Sequence, residues 1–155
     1  MSYETKTEPR VRRIGHVVLK VRDLERTRAF YEMLGLEFAD EVGKQMLFLR
    51  AGDDHHTIAF LRVGPNAPGP VKNGVGLFHV AFQVESESEL LALYQKLKAK
   101  GVQFTGFTDH LVSHSIYLED PDGNEIEVYA DQPRERWERL DNPMASLPWD
   151  PERPA

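Results

Sequence analysis

The chain has 155 residues, 41% hydrophobic and 28% charged, which suffices for one domain with a substantial core. Its net charge of -6 sets nucleic acid and anionic membrane surfaces aside as partners, since basic patches hold both. No apolar run approaches the roughly 20 residues that cross a bilayer, and without cysteine any metal must rest on His and carboxylate ligands.

Residues 1–12 are polar and expected to be a flexible N-terminus; MSYETKTEPRVRR lacks the apolar core of a secretion signal, so a cytoplasmic location is expected. IGHVVLKV (Ile14 to Val21) alternates as a strand, with Val17, Leu19 and Val21 on one face and His16, Val18 and Lys20 on the other. Asp23 is a helix N-cap for a helix to Leu34, with Leu24, Phe30, Tyr31 and Leu34 on its buried side and Gly35 as its stop. Three short strands follow, at Glu37–Val42, Gln45–Arg50 and Thr57–Val63, and then a Gly/Pro/Asn-rich linker over 64–75.

The second half repeats the first. LFHVAFQV (Leu77 to Val84) matches IGHVVLKV at a constant offset, so His16 corresponds to His79, Val21 to Val84, Tyr31 to Tyr94 and Leu34 to Leu97. Ser86 and Glu89 form a capping box for a helix with Leu90, Leu93, Tyr94 and Leu97 at helical spacing, ended by Gly101. Val102 to Phe104 is a further strand. Ser115 to Leu118 and Glu125 to Tyr129 then form a hairpin around Asp120-Pro121-Asp122-Gly123-Asn124, and His110, His114, Tyr117 and Glu127 converge on it.

The fold class is therefore α+β. Two βαβββ modules (13–63 and 76–131) within one domain (13–131) are expected to form an eight-stranded, partly open mixed barrel with both helices outside. Residues 132–155 carry Pro133, Pro143, Pro148, Pro151 and Pro154 with Trp137 and Trp149, and read as an extended C-terminal arm. His16 and His79 both lie opposite the apolar stripe of their strands, as does Glu127, which is opposite Ile126 and Val128. Two imidazoles and one carboxylate make the set that holds divalent iron on one triangular face.

The run Thr108-x-His110, then after five residues Ile116-Tyr117-x-x-Asp120-Pro121-x-Gly123-x-x-x-Glu127, is similar to the signature of extradiol ring-cleaving dioxygenases such as the catechol 2,3-dioxygenases. The resemblance covers residues 14 to 131 and places the chain in the vicinal oxygen chelate superfamily. It implies His16, His79 and Glu127 as metal ligands for Fe(II), with Mn(II) as the alternative. It also implies His56, or its neighbour His55, as the acid-base histidine, and His110 and Tyr117 as contacts to the substrate oxygens. The implied partners are a small aromatic substrate, dioxygen and a further copy of the chain, as homodimer or higher oligomer. Classical members carry two copies of the domain, and this chain resembles the catalytic half. The superfamily also includes glyoxalase-type isomerases and metal-free antibiotic-binding proteins. A glyoxalase takes a fourth ligand from the last strand of the first module, where this chain offers Ile58, Ala59, Phe60 and Leu61, none able to bind metal.

Overall fold

A computed structural model describes residues 8–154. Most of the expected N-terminal segment, residues 1–7, lies outside the described residues. The first module comprises β1 (Val17–Val21), α1 (Leu24–Met33), β2 (Glu37–Val42), β3 (Met46–Arg50) and β4 (Ile58–Arg62). The second comprises β5 (His79–Gln83), α2 (Glu87–Ala99), β6 (Phe104–Leu111), β7 (Ser113–Glu119) and β8 (Glu125–Asp131). A 3-10 turn at Arg134–Arg136 leads to β9 (Met144–Pro148).

Strand order repeats as the sequence does: β1-β4-β3-β2 in one sheet and β5-β8-β7-β6 in the other, with β9 added at the edge. In each module the first strand pairs parallel with the last, a connection that the intervening helix makes. The two βαβββ modules are as expected, and their sheets stay open rather than closing on one another. β9 pairs antiparallel with β6 and covers an edge that would otherwise present unpaired backbone groups.

The helix caps follow from the residues that made them legible. Asp23 accepts a hydrogen bond from the Arg26 amide at 2.7 Å, and Ser86 from the Glu89 amide at 3.3 Å. Gly35 and Gly101 follow the last turns at φ +98° and +77°, a left-handed conformation that costs glycine nothing. Helix α1 buries Leu24, Thr27, Phe30 and Tyr31, while α2 buries Leu90, Tyr94 and Leu97. These meet Leu19, Val21, Leu47, Leu49, Ile58 and Phe60 from the first sheet, and Ile116, Leu118, Ile126 and Val128 from the second, in one core. The helices cover one face of each sheet and leave the other face of β1 and β5 open, with Val18, Leu77 and Phe78 exposed.

The two modules are joined by the turn between β7 and β8. The buried Asp120 carboxylate accepts from Tyr31 Oη at 2.8 Å, from the amides of Asp122 and Asn124 at 2.9 Å each, and from Asn124 Nδ2 at 2.9 Å. Asp122 Oδ1 accepts from Arg22 Nη1 at 3.1 Å and Arg26 Nη2 at 3.0 Å. What reads locally as turn chemistry is thus also a clasp between helix α1 and the second sheet. Burial and the two aspartates raise the Tyr31 phenol far above its ordinary pKa, so it stays a donor. Asp120→Ala is expected to cost about 3 kcal/mol, because it leaves several buried donors unpaired at once. Urea unfolding followed by circular dichroism checks this, and a midpoint unchanged from wild type would show the clasp to be dispensable.

Candidate active site

Alternation along β7 and β8 determines which side chains reach the open face of the second sheet. Tyr117 pairs with Glu127, and Glu127 with Ala81, so all three share that face. His79 heads β5 next to them. His79 Nε2 lies 3.0 Å from Glu127 Oε2, Tyr117 Oη 3.1 Å from Glu127 Oε1, and His110 Nε2 2.8 Å from Tyr117 Oη. Together these four line a cavity of about 410 Å³ that also includes Tyr129, Asp131 and Met144. Glu127 is only 7% exposed, and a carboxylate so buried needs cationic or donor partners. The phenol has one proton and two acceptors, His110 Nε2 and Glu127 Oε1, so it serves one at a time.

Burial first, then the Glu127 charge, pushes the Tyr117 pKa up from 10.0 to about 12. The raised value keeps the phenol protonated across the working pH range. It contributes stability that is present below pH 10.0 and is lost as pH rises through about 12. The difference in tyrosinate absorbance between wild type and Tyr117→Phe should therefore appear only near pH 12; a difference already developed at pH 10 would show that the phenol is not held this way.

The first sheet carries the other candidates. His16 is exposed just before β1, and its ring centroid lies 4.4 Å from that of His56. His56 packs edge-on to Phe48 at 5.4 Å, and its Nδ1 lies 2.6 Å from His55 Nδ1. Of the neighbouring pair, His56 is the one stacked near His16, with His55 behind it. Desolvation, followed by His16 and His55, lowers the His56 pKa below 6.5, which favours a neutral imidazole. The structure thus brings His79, Glu127, Tyr117 and His110 together on the second sheet, and His16 with His56 beside the first, in the segments that lead into β1 and β4. Among the described residues, no three His, Asp or Glu side chains gather as a metal cluster.

Two departures from the sequence reading follow from strand parity and strand length. His114 does not join His110, Tyr117 and Glu127. It lies an odd number of residues from Tyr117 on β7 and so points to the helix side, where it is buried against Glu87 at 2.8 Å and Trp149 at 4.6 Å. The strand expected at Val102 to Phe104 runs instead as β6 to Leu111, which puts His110 inside a strand. Sequence reasoning missed Met144 as a cavity wall, since MASLP between two prolines shows no alternation.

Residues 13–128 match the sequence profile of the Glyoxalase/Bleomycin resistance protein/Dioxygenase superfamily, and the chain belongs to that family. A catechol-2,3-dioxygenase of Bacillus subtilis (strain 168) is 35% identical over 81% of this chain and 44% of its own length. A biphenyl-2,3-diol 1,2-dioxygenase of Rhodococcus globerulus is 33% identical over 77% of this chain and 63% of its own. The chain therefore spans about half the length of the curated relatives it matches. A solved glyoxalase/dioxygenase from Nostoc punctiforme superposes with a TM-score of 0.66 at 22% identity, over 79% of this chain and 92% of that one, and shows the shared fold. Among the described residues, no helix is long and apolar enough to cross a membrane.

Proposed function

We propose that this protein is an extradiol ring-cleaving dioxygenase acting on a catechol-type aromatic with Fe(II) and dioxygen. The observation that carries the reading is the contact chain His79–Glu127–Tyr117–His110 around one cavity. It gathers from β5, β6, β7 and β8 four residues that the extradiol resemblance implies, and the relatives named for diol cleavage support it. The donor set fits a divalent metal: His79 Nε2 and the buried Glu127 carboxylate face each other at 3.0 Å, while His79 Nδ1 is turned to Glu125 Oε1 at 3.4 Å. His79, Glu127 and His16 would hold the ion, with no fourth protein ligand available from β4. Bound Fe(II) supplies the redox and Lewis-acid chemistry that joins an aromatic diol to dioxygen.

The remaining work falls to the chain's own side chains. Tyr117 donates its phenol proton toward a substrate oxygen, and His110 Nε2, 2.8 Å from the same phenol oxygen, accepts from the substrate hydroxyl beside it. His56 exchanges a proton at Nε2, the nitrogen left over once Nδ1 faces His55. Oxygen uptake over a panel of substituted catechols, after anaerobic loading with Fe(II), tests the reading. Isomerisation of a hemithioacetal with another metal, without oxygen uptake on any catechol, would overturn it in favour of a glyoxalase-type isomerase.

His16 lies beside the first sheet and His79 with Glu127 on the second, so the reading includes a homodimer in which the open face of each first sheet meets the second sheet of its partner copy. The exposed Val18, Leu77 and Phe78 flank these histidines and support such a contact. Mixing inactive His16→Ala and Glu127→Ala copies should then restore activity, because half-and-half dimers rebuild one intact site. No recovery on mixing, with each variant folded and dimeric, would place all ligands within one copy.

A further inference from the structure

We propose that the main-chain carbonyl of Ala145, in the C-terminal arm, is the positioning group that fixes the tautomer and ring orientation of His110. This rests on the reading of His110 as a substrate contact, and it adds a role for the arm, which lies beyond the two modules. Strand β9 pairs with β6 through Thr108–Pro148, Asp109–Leu147 and Leu111–Met144, with a break between Asp109 and Leu111. His110 falls at that break, where an irregular ladder re-aims a side chain. The backbone there is held in an uncommon conformation: Leu111 has φ +67°, with its amide donating to Asp109 Oδ1 at 2.7 Å. A bulky residue in that region persists only where its surroundings over-determine it.

At this point His110 Nδ1 meets the Ala145 carbonyl oxygen at 2.5 Å. A carbonyl only accepts, so Nδ1 carries the hydrogen, and Nε2 is the nitrogen turned to Tyr117 and the cavity. Removing the acceptor would allow the ring to flip or the proton to move to Nε2, which would present the wrong atom to the substrate. The arm is anchored well away from the cavity. Arg136 donates to Asp109 Oδ2 and to His114 Nε2, Trp149 stacks on His114 at 4.6 Å, and Glu152 accepts from Tyr94 Oη at 2.6 Å and from Lys98. Burial would raise the Asp109 pKa, but the Leu111 amide and Arg136 together outweigh it and hold the carboxylate ionised. Asp109 thus ties the break beside His110 to the arm.

Two measurements test the proposal. Long-range 15N–1H NMR of the full-length chain, without metal and with Zn(II) as a diamagnetic probe, should show His110 as the Nδ1–H tautomer. An Nε2–H signal, or an equal mixture, overturns the proposal without any variant. Trp149→Ala combined with Glu152→Ala loosens the arm without substituting any cavity residue. It should convert the His110 signals to mixed tautomers and lower kcat about 10- to 100-fold, the range for losing a partner that orients a working histidine, with bound metal unchanged. Unchanged His110 signals in a variant whose arm has become cleavable by trypsin also overturn it. If wild type turns over no catechol while the NMR pattern holds, the dioxygenase reading fails and the positioning role stands.

Discussion

Glu127→Ala is expected to lose metal retention altogether, and with it all oxygen uptake, while the protein stays folded. Two opposing effects lead to this result. Glu127 is the one carboxylate in the proposed ligand set, and its loss removes both a donor and the negative charge that draws a divalent cation into a buried site. Losing even a supporting hydrogen-bond partner of a ligand costs about 10- to 100-fold in metal affinity, so losing a ligand should exceed that range. Stability should move the other way or little. Glu127 is buried between His79 and Tyr117, and removing its carboxylate relieves the desolvation of a buried charge. Metal content by elemental analysis after anaerobic purification, with urea unfolding alongside, checks both halves. A variant that keeps its full metal would remove Glu127 from the ligand set; one that unfolds would make it structural.

His56→Ala should leave metal and catechol binding intact and reduce turnover by roughly 10²- to 10⁴-fold, the span of general acid-base catalysis. His56 sits against His16 and His55, and desolvation first, with these two neighbours adding to it, lowers its pKa from 6.5. The sign follows from the lowered value. The imidazole is neutral and able to take a proton above its folded pKa, and becomes protonated only as pH falls below it, so the acid limb of kcat/KM should lie below pH 6.5. That limb should vanish in His56→Ala, while spectral binding of a catechol under anaerobic conditions is retained. Stopped-flow turnover across pH provides the measurement. An unchanged acid limb in the variant would assign the proton transfer elsewhere, with neighbouring His55 the first place to look.

The strand faces and helix ends of this protein were legible in the sequence because they depend on local periods. Val17, Leu19 and Val21 point inward and His16 outward for the same reason that Val80 and Phe82 oppose His79: a pleated strand alternates whatever it packs against. Asp23 and Ser86 cap helices through bonds that span three residues, and Gly35 and Gly101 end them by a conformation open to glycine. The doubled module was legible as a repeat. The convergence of Tyr117 with Glu127 was legible too, since a tight turn joins their strands and sets the register. His114 departs from that group because its odd separation from Tyr117 on β7 turns it to the helix side, whatever its nearness in sequence.

Tertiary structure alone decided what bridges large separations in the chain. Tyr31 finds Asp120 across 89 positions, and β9 finds the edge of β6 although no pattern in MASLP marks it as a strand. Which open sheet face meets which, and therefore whether His16 stands beside His79 or apart from it, follows from how the two modules dock through α1, α2 and the Asp120 turn. Local spacing specifies the direction of each side chain but carries no information on the relative placement of two sheets. That placement depends on core packing and on a few long-range hydrogen bonds, which form only once both modules have folded.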